Sequence, residues 1–436
     1  MTIEELYSLF QQHPVITTDS RDCPADSLFF ALKGDSFDGN KFAKAALEKG
    51  CAYAIIDEPE YADGEKYIVV DNVLKTLQEL ARHHRRTLGT KIICVTGTNG
   101  KTTTKELIAA VLKEKYDVLY TQGNFNNEIG VPKTLLQLER RHDIAVVEAG
   151  ASHPGDIKIL VDIIEPDYGI ITNVGKAHLL GFGSFEGVVR TKGELYDYLR
   201  PKAGTKVFIN GNDQHLKGIS AGLGLVEYGL GTDPDSKEYL VSGIISSCDP
   251  TLNFEWKERS GSVYMVSTHL IGAYNIYNVL AAACIGTFFD VRPEEICHAI
   301  AAYTPTNNRS ELKDTEHNQL IIDAYNANPT SMMAALKNFN TMKAAKKMVI
   351  LGDMRELGDS SLEEHRKIVE YLNSCHFDQT ILVGEEFAKC DNATNAAFYK
   401  DVEELKKALQ ENQPEGYQIL IKGSNGIKLF QLPEVL

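Results

Sequence analysis

The stretch KIICVTGTNGKTTTKELIAAVLKEKYDVLYT, Lys91–Thr121, decides the fold. An apolar run, KIICVT, passes through GTNG into the helix-patterned KTTTKELIAAVLKEKY and then into a second short apolar run, DVLYT. Strand, glycine-bearing loop, helix, strand is the βαβ order, whose two strands run parallel. Further buried-strand runs at Ile144–Glu148 and Tyr168–Thr172 follow, each separated from the next by a helical length. Short, continuously apolar strands alternating with helices imply a parallel sheet covered on both faces. The expected class is α/β, with a central P-loop-type parallel-sheet domain.

Upstream, residues 1–82 hold short apolar runs at Ser27–Leu32 and Tyr67–Val70 around a helical stretch, Lys41–Lys49, which predicts a small mixed α/β domain. The helical stretch Val73–Thr87 leads into the central region. After Thr205 the spacing shortens, and Phe254–Val266 alternates polar and apolar around Ser-Gly, the pattern of an antiparallel hairpin. Helix returns over Asn275–Phe289. The polar, proline-bearing TPTNNRSEL at 304–312 reads as a linker. Beyond it come QLIIDAY, a helix from near Pro329, KMVILGD, a helix from Leu362, QTILVG, a helix from Val402 and YQILIKGS, a second, Rossmann-like α/β unit. The expected domains are 1–82, 83–306 and 307–436. The chain length of 436 residues agrees, since one domain takes about 150.

Composition narrows the function classes. Hydrophobic residues at 43% and charged residues at 24% are ordinary for a globular protein and exclude a disordered chain. The net charge of −15 does not suit a general binder of nucleic-acid backbones. It leaves room for a small anionic substrate in a local basic pocket. No apolar run approaches the ~18 residues of a membrane span. MTIEELYSLF carries acidic residues where a signal peptide is basic, and the eight cysteines are scattered without a CxxC pair. A cytoplasmic protein, monomeric by default and without membrane insertion, is expected.

Gly97-Thr98-Asn99-Gly100-Lys101-Thr102 lies between strand and helix, where glycines let backbone N–H groups converge on phosphate oxygens at a helix N-terminus. Lys101 would reach the terminal phosphates, with Thr102 Oγ on Mg²⁺ and Thr103 beside it. The spacing differs from G-x-x-x-x-G-K-[ST], because Val95 stands where the distal glycine would be. Three residues could complete a metal site: Glu148 at a strand end, His178 after GIITN, and Lys192 in RTKGELYDYL. Taken singly, a strand-terminal Glu is more often a cap, a lone His is usually structural and a helical Lys is usually solvated. An ammonium beside Mg²⁺ makes sense only if its amine has become an anion.

The chain resembles the Mur ligase family, the ATP-dependent amide-forming enzymes of peptidoglycan precursor synthesis. The likeness runs nearly end to end through TTDSR, FFALKG, VTGTNGKTTTKE, GNFNNEIGVP, EAGASHPGDI, ITNVGKAHLLGFGS, RTKGEL, GAYNIYNVLAA, NRSEL, DAYNANPTSM, LGDMRELG and KGSNGIKL. NFNNEIG, DAYNANPTSM and GDMRELG point to the branch that adds D-alanyl-D-alanine to UDP-N-acetylmuramoyl-tripeptide through an acyl phosphate. What the resemblance implies for residues is specific. Lys192 would be carbamylated by CO₂ and join Thr102, Glu148 and His178 around Mg²⁺. Lys101, Lys192 and His178 would be catalytic. Asn275 and Asn278 would lie near adenine, Arg309 on the γ-phosphate and Asp323 on the ribose. Residues 1–82, with Ser20, Arg21 and Lys33, would hold the UDP part, and Asn124, Asn126 and Asn127 the diphosphate and sugar. The C-terminal domain, with Tyr325, Asn326 and Asn328, would close on ATP and bind the dipeptide. Two positions depart from the family pattern: Tyr274 precedes Asn275 where His is usual, and Asn425 follows KGS where Arg is frequent. Related readings are a ligase adding a single amino acid, a folylpolyglutamate synthetase-like enzyme, and, from another class, a nucleotide switch or ATP-binding scaffold.

Overall fold

The computed structural model describes residues 1–34, 36–259, 261–306, 308–390 and 395–436. Ser260 in the expected hairpin turn and Asn307, where the C-terminal domain was expected to begin, lie outside the described residues. The chain divides into two compact units: Met1–Cys94, Tyr116–Gly150 and Lys158–Asp167 form one, and Val95–Lys115, Ala151–Ile157 and Tyr168–Leu436 the other.

In the first unit a four-stranded parallel sheet runs Ile16–Thr17, Leu28–Phe30, Tyr53–Ile56, Tyr67–Val69. The helix Val73–Leu88 follows, begun by Asn72, whose side chain accepts from Lys75 N–H, and ended by Gly89 at φ +70. That is the side-chain start and left-handed stop expected of an amphipathic helix. The unit also holds the parallel pair Val118–Tyr120 and Ile144–Glu148.

The second unit carries the helix Lys101–Lys113 and the strands Tyr168–Ile171, Lys206–Asn210, Leu225–Leu230 and Val241–Cys248, all parallel. Thr251–Glu258 and Val263–Ile271 extend them as the antiparallel hairpin expected from the alternation. The sequence pattern had not resolved the three strands between 206 and 248. The helix Ile276–Phe288 is apolar on all sides and packs on Lys101–Lys113. Gly286 permits the approach, since a Cβ there would lie 2.5 Å from Val111 Cγ1.

Residues 303–306 and 308–310 carry no regular element, and a six-stranded sheet follows. Its order is Glu311–Asp314, Gln319–Asp323, Gln418–Lys422, Lys347–Gly352, Gln379–Val383, Ala397–Tyr399, parallel except for the first strand. Each central strand serves two cores. Val349 and Leu351 face Leu336 and Phe339, whereas Met348 and Ile350 face Leu405 and Leu432. Helices cover both faces, so the strands had to be apolar without alternation. No helix among the described residues is long and apolar enough to cross a membrane.

Candidate active site

The phosphate loop is shaped by two glycines. Gly97 has φ +144 and a Cβ there would lie 2.0 Å from Thr172 Oγ1; Gly100 has φ +75 and faces Asn278. Side chains rarely tolerate either conformation or either approach. The segment after strand Tyr168–Ile171 clamps the loop. Thr172 Oγ1 donates to Asn99 O at 2.7 Å, Asn173 Oδ1 accepts from Asn99 N–H at 3.1 Å, and Thr98 Oγ1 accepts from Gly175 N–H at 3.0 Å. Lys101 Nζ folds back to Thr98 O at 3.1 Å. The helix Lys101–Lys113 starts at Gly100 with no side-chain cap. Its first-turn N–H groups and positive dipole end therefore suit an anion.

Asn275 and Asn278 are both buried behind this loop, and their amides are engaged with the protein. Asn275 Nδ2 donates to Ile271 O at 2.8 Å, Asn278 Nδ2 to Asn275 Oδ1 at 2.7 Å, and Thr104 Oγ1 to Asn278 Oδ1 at 3.0 Å. This buried chain braces the first turn of the phosphate-loop helix. Tyr274, the first departure from the family pattern, shares a hydrogen bond of 2.9 Å with Ser310 Oγ. Burial pushes its phenol pKa well up.

From the six-stranded sheet, Asn328 reaches the loop directly: its Nδ2 donates to Asn99 Oδ1 at 2.8 Å while its Oδ1 caps the helix Pro329–Thr341. Arg309 lies flat on Tyr325, with its Cζ 3.6 Å from the ring centroid and its Nε buried without a hydrogen-bond partner. A guanidinium held on an aromatic face with donors to spare is poised for an anion. Asp323 accepts a 2.5 Å hydrogen bond from Lys422 Nζ, which is only 1% exposed and lies 3.3 Å from Asn326 O. Lys422 was not singled out by sequence, because its role depends on a pairing across two strands. Asn326 Oδ1 accepts from Ala327 N–H.

The residues expected around a metal have the following surroundings, each within its own unit. Thr102 is buried in the first turn of the phosphate-loop helix. Lys192 is buried on the helix Phe185–Leu199, its Nζ 5.5 Å from the Phe182 ring centroid. His178, at φ +49, presents Nδ1 to the Glu356 carboxylate, and this contact holds the Glu356 carboxyl below its usual range. In the first unit, Glu148 Oε1 accepts from Asn126 Nδ2 at 2.7 Å. No cluster of three His, Cys, Asp or Glu side chains fit for a metal occurs among the described residues.

Other first-unit candidates have local partners. Asn127 Oδ1 accepts from Gly130 N–H at 2.8 Å, and Asn124 O accepts from Asn126 N–H at 2.7 Å. Lys33 pairs with Asp57 at 2.9 Å and Glu58 at 2.7 Å. Arg21 forks onto Asp19, and Ser20 O accepts from Lys49 Nζ. Arg21 and Lys33 would have to exchange these carboxylates for a phosphate.

Sequence reasoning did not foresee a cleft of about 960 Å³ at the carboxyl edge of the six-stranded sheet. Arg355, Glu356, Gly384, Lys400, Gly426 and Lys428 are among the residues that line it. Crevices at this edge are where open parallel sheets take ligands.

Fold and loop together define a phosphate-binding α/β protein. Residues 14–85 match the Mur ligase family catalytic domain, 95–286 the Mur ligase middle domain, and 308–425 the Mur ligase glutamate ligase domain. The chain is 35% identical over 428 residues to the UDP-N-acetylmuramoyl-tripeptide–D-alanyl-D-alanine ligase of Bacillus subtilis, covering 96% of this chain and 92% of that one. Among solved structures, MurF from Acinetobacter baumannii superposes with a TM-score of 0.87 at 29% identity, covering 100% and 97% of the two chains. The MurF ligase from Thermotoga maritima in complex with ADP gives 0.84 at 25% identity, with 97% of each chain covered. The chain belongs to the Mur ligase family. It is an ATP-dependent ligase that forms a peptide bond.

Proposed function

We infer that this ligase joins D-alanyl-D-alanine to UDP-N-acetylmuramoyl-tripeptide in the cytoplasmic stage of peptidoglycan precursor synthesis. The observation that carries the reading is the end-to-end likeness to ligases of that name, more than nine-tenths of both chains. The tripeptide carboxylate attacks the γ-phosphorus of ATP, ADP leaves, and an acyl phosphate forms. The dipeptide amine then attacks the acyl carbon, loses a proton, and expels phosphate as the amide forms. The protein's contribution is positioning and charge neutralisation.

Gly97–Thr103 cradle the phosphates through backbone N–H groups, Lys101 and Arg309 neutralise charge on the β- and γ-phosphates, and Asp323 accepts from the ribose. Asn275 and Asn278 hold the loop from behind, beside the adenine. Residues 1–82 capture the UDP part, 83–306 carry the phosphoryl chemistry, and 307–436 supply Arg309, Asp323 and the dipeptide cleft. Mg²⁺ fits this donor set, because it takes one or two carboxylate-type ligands together with other oxygens and substrate phosphates, without a protein cage. Thr102 is its proposed hydroxyl ligand, Glu148 its carboxylate, and Lys192 a ligand in carbamate form. His178, engaged at Nδ1, would offer Nε2. When bound, the ion would screen the charge that accumulates on the transferring phosphoryl group.

The test is ADP release and product mass with ATP, Mg²⁺, UDP-N-acetylmuramoyl-tripeptide and D-alanyl-D-alanine. Lys101→Ala is expected to abolish dipeptide-dependent ADP release while the protein stays folded by circular dichroism. Wild-type turnover in that variant would sink the assignment. Turnover with single amino acids in place of the dipeptide would favour another branch of the family. ¹³C-bicarbonate labelling, with Lys192→Arg as the control, reads the carbamate directly.

A further inference from the structure

Among the described residues, Arg355 is the single fork-shaped cation of the cleft at the carboxyl edge of the six-stranded sheet, and its backbone is pinned from several sides. Met354 N–H donates to His365 Nε2 at 3.0 Å, Arg355 N–H to Ser424 Oγ at 2.9 Å, and Ser424 N–H to Asp353 O at 3.2 Å. The Asp353 carboxylate accepts from Glu386 and Phe387 N–H, both at 2.9 Å, which ties the loop to the neighbouring strand end. The Arg355 guanidinium lies over Gly426: a Cβ at that position would meet Nη1 at 2.6 Å and Cζ at 2.9 Å. Gly426 thus leaves room for a side chain that arrives from another strand. Glu356, Glu385, Glu386, Asp401 and Glu403 all line the cleft, yet none is ion-paired with Arg355 among the described residues.

We propose that Arg355 binds the terminal carboxylate of the incoming dipeptide and so sets the enzyme's demand for an acceptor that ends in a free carboxyl group. The proposal rests on the ligase reading above. A guanidinium pairs with a carboxylate through two parallel hydrogen bonds, which fixes orientation as well as position; Lys400 and Lys428, also in the cleft, offer only point charges. Asn425 is no obstacle, because Arg355 brings its guanidinium to the Asn425–Gly426 loop from the adjacent strand end. Arg355 is exposed and outside the sheet's core, so replacing it leaves the fold intact.

The experiment compares wild type, Arg355→Met and Arg355→Lys with two acceptors, D-alanyl-D-alanine and D-alanyl-D-alaninamide, whose C-terminus is uncharged. ADP release and product mass are the readouts, with a thermal melt as the folding control. For the dipeptide, Arg355→Met is expected to raise KM about 10- to 100-fold, the loss expected when one charged hydrogen-bonded pair is removed. KM for ATP and for the UDP-tripeptide should stay at wild-type values, and Arg355→Lys should recover part of the loss. The amide should be a poor acceptor that wild type and Arg355→Met use equally. An unchanged dipeptide KM in Arg355→Met, or an equal loss with the amide, overturns the assignment alone. A wild-type enzyme inert toward the dipeptide overturns the ligase reading and this assignment with it.

Discussion

Arg309 stacks on Tyr325 between Asn308 and Ser310, which both have left-handed backbone at φ +56 and +51. Such conformations cost non-glycine residues energy and persist when their surroundings enforce them. Here the enforcing contacts are the Tyr274–Ser310 hydrogen bond and the Tyr325 ring. Arginine at this place was legible in NRSEL, but its platform was not, since Tyr325 reaches it from a different strand end. We propose that Tyr325 acts as the platform for Arg309. Tyr325→Leu should remove a stacking contribution of about 0.5–2 kcal/mol and lower kcat/KM for ATP by up to about 30-fold. KM for D-alanyl-D-alanine should hold steady in the same steady-state series. A rise confined to the dipeptide KM would return Tyr325 to substrate binding.

At the scale of elements, the helix Ser361–Ser374 orders the cleft through His365, which is fully buried. Its Nδ1–H donates to Ser361 O at 2.7 Å and its Nε2 accepts from Met354 N–H at 3.0 Å, so the neutral ring is the form that fits. Burial lowers its pKa from the ordinary 6.5, against the opposing pull of Ser361 O and of Asp353 at 3.9 Å. A histidine whose folded pKa is depressed binds fewer protons than the unfolded chain does. Its stabilising effect is complete above about pH 6.5 and fades as pH falls. The carboxylates Glu356, Glu364 and Glu386, whose pKa values are lowered, lose their contributions only below about 4.5. Between pH 7.5 and 5 the thermal midpoint should therefore fall, and His365→Asn should be less stable at pH 7.5 but show a shallower fall. Parallel profiles for the two proteins would show that His365 does not set this slope. His84, buried with Nε2–H donated to Leu138 O, acts in the same direction, so the slope should not vanish.

For the whole molecule, the second unit joins the phosphate loop to the six-stranded sheet through a few polar ties. Asn99–Asn328 is one, His178–Glu356 another, and Lys176–Glu364 at 2.8 Å a third. Burial works against the Glu364 charge, yet Lys176 and Lys367 hold its carboxyl below the usual range. Lys176→Met would leave Glu364, only 6% exposed, dependent on Lys367 alone. The expected cost is about 1–2 kcal/mol in urea unfolding, with a fall in kcat where the tie orders the site. Lys176→Met/Glu364→Gln should recover much of that stability, whereas additive losses in this cycle would show that the two residues act independently. The bulk charge of −15 has no part in these ties.

The amino-acid sequence by itself determined the strand–loop–helix order around Lys101, the two-faced burial of the C-terminal strands and the family. Those properties are local or periodic: glycine spacing at a turn, continuous apolar runs, and motifs read in order. The three parallel strands between 206 and 248 escaped, because their short apolar runs carry no period that tells strand from helix. Tertiary structure alone decided which side chains meet. It spent Asn275 and Asn278 on bracing the loop, placed Tyr325 under Arg309 and Lys422 beside Asp323, and laid Arg355 over Gly426. Each of these arrangements joins residues from different elements or loops. The sheet order that brings them together, with the last strand between Gln319–Asp323 and Lys347–Gly352, is a property of the folded chain.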